Sequence, residues 1–100
     1  MKLVKAVIRT TSLERIVKSL QDMGVKHMTI FEVKGIGEQV QLFSPYTIHK
    51  MVQIIVPDEE AEAVANVIMD YAHTGFAGDG LIAVMPVDFM MKIQTKEKVE

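Results

Sequence analysis

The side chains able to do chemistry are few in this chain. There is no cysteine, so disulfides and thiolate metal sites are ruled out. The histidines are His27, His49 and His73. None stands beside another histidine or a carboxylate at the spacing that would place two metal ligands on one helix face. His73 falls where a helix ends, and there an imidazolium suits the negative end of the dipole. No Gly-x-Ser-x-Gly or comparable nucleophile elbow occurs. The acidic residues gather at expected helix starts and in the tail, as on a solvated surface. These features point away from an enzyme and from a metal site.

The glycines carry more. Thr74-Gly75-Phe76-Ala77-Gly78-Asp79-Gly80 places three glycines within six positions between an expected helix and an expected strand. Glycine there permits positive φ and close approach of a ligand to the backbone. Successive amides in such a turn can form an anion-binding nest. Gly35-Ile36-Gly37 is a second, shorter glycine bend after another expected strand.

The elements that must position these bends follow from periodicity. Residues 2–9 are short, β-branched and bounded by Thr10-Thr11-Ser12, which predicts a strand. Thr11 and Glu14 have the spacing of a capping box. Leu13, Ile16, Val17 and Leu20 form one apolar helix face, and Gly24 sits where a left-handed residue would end that helix. Residues 28–34 alternate as a half-buried strand does, with Phe31 expected in the core. An irregular stretch runs to Pro45, then a strand over 47–56. Pro57-Asp58 closes it, with Asp58 as the expected N-cap of a helix whose apolar face is Ala61, Val64, Ala65, Ile68 and Ala72. Glu59, Glu60 and Glu62 suit the positive end of that helix. A fourth strand spans Leu81 to Val87, a short fifth falls within 89–94, and the charged tail Thr95 to Glu100 is expected to fray.

The order strand, helix, strand, strand, helix, strand is the split βαβ layout: an α+β, ferredoxin-like βαββαβ fold with an antiparallel sheet and both helices on one face. Its other face would be bare in a monomer. A length of 100 residues fits one domain, residues 1–100. Hydrophobic residues make up 49% of the chain, enough for a core and for apolar surface used in self-association. The eight methionines are scattered over the elements and read as filler of core and interface. A net charge of −2, with lysines dispersed apart from Lys92, Lys96 and Lys98, speaks against a nucleic-acid partner. The apolar run at the start is too short for a signal peptide or membrane span, which fits the cytoplasm.

Taken together, these pieces resemble the PII nitrogen-regulatory family. Its signature, Thr-Gly-x-x-Gly-Asp-Gly before an apolar strand, stands intact at Thr74–Gly80 with Leu81-Ile82-Ala83-Val84 following. The stretch from Gly24 to Gly37 is similar to the family's second-strand segment, and Ile55-Val56-Pro57-Asp58 to its third strand and helix start. The likeness covers most of residues 1–95. It implies a regulator rather than an enzyme: a homotrimer with sheets facing inward and an adenine-nucleotide cleft (for AMP, ADP or ATP as effector) between neighbouring subunits. Thr29, Gly35, Ile36 and Gly37 would line that cleft, with Gln39 at the root of a target-contacting loop. Gly78, Asp79 and Gly80 would offer backbone groups to phosphates. The target would be a membrane transporter or an enzyme.

The sequence also departs from that family. A lysine usual after Gly-Asp-Gly is Leu81 here. Two arginines near the last strand align with Lys92 and Gln94, and a lysine before the third strand aligns roughly with His49. Hydrogen bonds to charged groups contribute about 1.5–3 kcal/mol each, so losing two weakens a triphosphate by roughly a hundredfold or more. A less charged ligand is favoured. The loop between Gly37 and Pro45 is roughly half the family's length, and the tyrosine-bearing tip is missing. Two further readings stay open: a PII-fold interaction module that has lost its nucleotide, and an unrelated ferredoxin-like domain such as an RNA-recognition module.

Overall fold

The structure, a computed structural model, describes residues 1–36 and 47–99. Strand β1 (Lys2–Ile8) leads through a short 3-10 turn (Thr10–Ser12) into helix α1 (Leu13–Asp22). Strands β2 (Thr29–Gly35) and β3 (Thr47–Val56) follow, then helix α2 (Asp58–Ala72) and strand β4 (Gly80–Pro86). The order in the sheet is β2-β3-β1-β4, every pair antiparallel. β3 thus lies between β1 and β2, the split βαβ arrangement.

Period-two alternation decides which residues meet the helices. Val4, Ala6 and Ile8 of β1 and Val52, Ile54 and Val56 of β3 are buried. They form one core with Ile16 and Leu20 of α1 and Ala61, Val64, Ile68 and Ala72 of α2, so both helices cover one face. Among the described residues no helix is long and apolar enough to cross a membrane.

The end of α1 matches its sequence signal. Gly24 has φ +102°. Its amide donates to the Gln21 carbonyl and that of Val25 to the Leu20 carbonyl, both at 3.0 Å. This is a Schellman motif, and Val25 packs against the core as the motif's apolar contact.

Four local expectations are corrected. The capping box at Thr11 and Glu14 does not form. The 3-10 turn, closed by Ser12 N–H to the Arg9 carbonyl at 3.0 Å, runs straight into α1. Ser12 at the N-cap therefore already has helical dihedrals and makes no side-chain cap. Asp58 is not an N-cap either. That position is Pro57, and Asp58 opens the helix with its carboxylate accepting from the Met1 ammonium at 2.7 Å. The ammonium holds the Asp58 carboxyl below its ordinary range. Phe31 is 40% exposed, because its odd-numbered register puts it on the face away from the helices. The tail does not fray. β5 (Met90–Lys92) pairs with β6 (Glu97–Val99) as a separate hairpin, and Lys98 lies over the Phe89 ring at 4.6 Å.

Candidate functional site

The sheet's open face gathers the odd-numbered strand residues. Leu3, Lys5 and Val7 of β1 lie beside Met51, Gln53 and Ile55 of β3 on one flank and Leu81, Ala83 and Met85 of β4 on the other. Phe31, Ile55, Leu81 and Met85 are exposed apolar side chains on this face. Two hollows open near it, at opposite ends of β3.

The first hollow, of ≈ 650 Å³, lies at the Thr47 end. Gly35 and Ile36 form one wall, Gly78, Gly80 and Leu81 another, and Thr47, His49 and Met51 also line it. β1 has ended at this level, so the His49 side chain reaches past it to the glycine turn. His49 Nε2 lies 2.9 Å from the Gly78 carbonyl, and Nδ1 lies 3.1 Å from Thr47 Oγ1. A carbonyl only accepts, so Nε2 carries the proton and, in the neutral ring, Nδ1 accepts from Thr47. His49 as a whole is 9% exposed.

The glycine turn is held from within. Asp79 accepts hydrogen bonds from the Thr74 amide at 2.8 Å, the Gly75 amide at 2.9 Å and the Thr74 hydroxyl. Arg9 Nε donates to it at 3.2 Å while Arg9 Nη2 donates to the Ala77 carbonyl at 2.7 Å. The Thr74 hydroxyl foremost, then the Thr74 amide, hold the Asp79 carboxyl far below the usual range. Partial burial opposes them, and the Gly75 amide and Arg9 add to the lowering. The amide nest expected for a ligand anion is thus occupied at Thr74 and Gly75 by the chain's own carboxylate. Gly75, Gly78 and Gly80 all have positive φ. At Gly80 a Cβ would lie 1.8 Å from the Val7 carbonyl oxygen, so only glycine fits.

The second hollow, of ≈ 830 Å³, lies at the Ile55 end. It is lined by Lys26, His27 and Thr29 before and within β2, by Gln53 and Ile55, and by Lys92 and Gln94 of the terminal hairpin. Between His49 and Ile55 the strand advances about 20 Å, so one copy of the chain does not join the two hollows.

The residues read from the sequence divide accordingly. Gly35, Ile36, Gly78 and Gly80 come together in the first hollow, Thr29 and Lys92 in the second. Asp79 turns away from the first hollow and braces the turn. Gly37 and Gln39 lie outside the described residues, as does the stretch read as a shortened loop. Among the described residues no cluster of three or more His, Asp or Glu could hold a metal ion.

Comparison of the sequence with known proteins points to one family. The family model described as nitrogen regulatory protein P-II matches residues 1–97. The chain belongs to the P-II family. A nitrogen regulatory protein P-II of Nostoc punctiforme is 36% identical over 98% of this chain and 96% of its own length. One of Rhizobium meliloti is 34% identical over 97% and 95%. One of Pasteurella multocida is 34% identical over 100% and 97%, its 109 aligned positions outnumbering the 100 residues here. That P-II protein therefore carries a handful of residues without counterpart in this chain. Membership makes the chain a signal-transduction regulator and sets aside the unrelated ferredoxin-like reading.

Sequence reasoning missed two contributors. Thr47 carried no signal, because its role exists only through the His49 ring two residues on. The Arg9–Asp79 pair spans 70 positions and joins a strand end to a turn that no local pattern links.

Proposed function

We propose that this chain acts as a homotrimeric, non-enzymatic P-II regulator. Its effector is an adenine nucleotide held where the glycine-turn hollow of one copy meets the Thr29–Lys92 hollow of the next. Ligand occupancy then sets the chain's grip on a target transporter or enzyme. The reading treats residues 1–100 as one domain working in the cytoplasm.

The observation that carries this is the placement of two half-sites about 20 Å apart along β3 beside an uncovered apolar face. Packing copies through that face hides Phe31 and Met85 and supplies each half-site with a complement. Leu81 lines the first hollow without filling it, which favours a ligand-binding cleft over a module that has lost its ligand.

The ligand is AMP or ADP in preference to ATP. Leu81 adds no charge beside the glycine turn, and the Thr74 and Gly75 amides of that turn are already spent on Asp79. Sedimentation should give a trimer, and calorimetry should show adenosine phosphates binding below millimolar concentration. Mixing tests the shared cleft. Leu81→Glu and Lys92→Glu each abolish binding alone, and co-refolding the two restores sites made from one intact half of each. Absence of binding by every adenosine compound at millimolar concentration sinks the ligand assignment.

A further inference from the structure

We infer that His49 decides which ligand charge the glycine-turn hollow accepts, and that proton binding to His49 changes the choice. The inference rests on the cleft proposed above.

Gly78 offers a carbonyl, which accepts from Nε2–H in either protonation state. Thr47 offers a hydroxyl, which both donates and accepts. In the neutral ring the hydroxyl donates to Nδ1. In the imidazolium it turns to accept from Nδ1–H, and its own proton becomes available to the hollow. A backbone amide at that place would block the second state, since two donors would face each other. Thr47 lets the buried ring take up a proton without orphaning any hydrogen-bonding group, and both residues line the same hollow.

Among the described residues, charged groups face the ring from several elements. Lys34 of β2 lines the same hollow. Arg9 at the end of β1 and Asp79 of the turn bond each other. His73, at the end of α2, lies 3.9 Å from Asp79. Lys50, next along β3, points to the opposite face and pairs with Glu32 of β2. The Asp79 carboxylate, engaged by Arg9, Thr74 and Gly75, is committed to the turn. The imidazolium thus adds positive charge on the floor of the hollow, together with a freed hydroxyl donor. A phosphate there binds the protonated form in preference, and an uncharged ligand does not.

The experiment uses the full chain and two probes: adenosine, and the methyl ester of AMP, whose phosphodiester keeps one negative charge across the range. Calorimetry between pH 8 and pH 6 should show the affinity ratio of ester to adenosine rising about tenfold, the modest end of what an adjacent opposite charge produces. In His49→Gln, which keeps a donor for Gly78, the ratio stays flat. In Thr47→Val the imidazolium Nδ1–H has no acceptor, and the rise moves to lower pH. Nitrogen-15 spectra of the His49 ring should show protonation shifting to higher pH when the ester binds. A flat ratio in the wild-type chain, or the same rise in His49→Gln, overturns the inference while leaving the cleft intact. Failure of both probes to bind at any pH overturns the cleft and this inference together.

Discussion

Arg9 Nε donates to Asp79 at 3.2 Å, tying the end of β1 to the glycine turn that precedes β4. β1 and β4 are already paired along their length. The contact therefore does not hold the strands together. It sets the shape of the loop that rises from their shared edge, with Arg9 also clamping the Ala77 carbonyl. The Asp79 side chain is 21% exposed, shielded enough for the ring of contacts to persist. Asp79→Asn keeps one acceptor but turns an amide donor toward Thr74 or Gly75. The sheet should survive while the Thr74 and Gly75 amides exchange with solvent about tenfold faster, as for a locally opening segment. Hydrogen exchange resolved by residue checks this.

Acid should act through the same carboxylate. An unfolded aspartate titrates near pH 3.9, and Asp79 in the folded chain titrates lower. A lowered folded value means that its stabilising contribution is complete above the unfolded value and is lost as pH falls through the folded one. Thermal unfolding of wild type and Asp79→Asn should differ by a constant amount from pH 8 to about 5, then converge below about 4. A gap that widens in acid would show that some other group dominates.

Most of the architecture was legible because apolar periodicity and burial coincide. β3 spans the expected residues 47–56, and the expected face of α2 contributes four of its five residues to the buried core. The failures share a physical cause. Thr11 and Glu14 have cap spacing, yet the chain enters α1 through a 3-10 turn whose dihedrals are already helical. Phe31 has the chemistry of a core residue, but its register places it on the face away from the helices, where it is 40% exposed. The tail residues are charged, but a hairpin needs only a partner strand, and Glu97–Val99 finds one across a four-residue turn. The glycines that line the first hollow were readable as bends. Its histidine–threonine floor was not, since that depends on β1 ending where it does.

Two glycines with nearly equal φ should respond very differently to alanine. Gly24, at φ +102°, has nothing within 4 Å of an added Cβ, so Gly24→Ala costs only the left-handed backbone penalty of about 1–2 kcal/mol. Gly80, at φ +106°, would drive its Cβ into the Val7 carbonyl at 1.8 Å. Backbone must move between β1 and the edge strand β4, and Gly80→Ala should lose at least about 3 kcal/mol or fail to fold. Denaturant titration of both variants gives the comparison directly.

Phe31 offers the simplest test of association through the open face. A fully buried phenylalanine side chain contributes about 1.5–3 kcal/mol. Phe31 is 40% exposed in the single chain, so association gains only that share, which Phe31→Asp removes while placing a charge in each interface of the proposed trimer. Within the single chain the residue is already exposed, so the fold should be retained. Sedimentation should report a trimer for wild type and a folded monomer for the variant. A wild-type chain that is monomeric at micromolar concentration would remove the shared cleft.

The terminal hairpin gives a test that separates folding from binding. The buried core draws on residues 4 to 72 and is joined at its edge by Ile82 of β4, so among the described residues none beyond Pro86 belongs to it. Among the described residues β5 and β6 pair only with each other. Removing residues 88–100 should therefore leave the helix and sheet signals intact, with cooperative unfolding. The same cut takes Lys92 and Gln94 out of the second hollow while leaving the His49 hollow whole. If each ligand touches both half-sites, the shortened chain loses adenine-nucleotide affinity by at least about tenfold, the effect of one hydrogen bond to a charged group. Supplying Lys92 from a second, full-length copy carrying Leu81→Glu should restore binding in mixed assemblies. Retention of full affinity by the shortened chain alone would confine the ligand to the glycine-turn hollow.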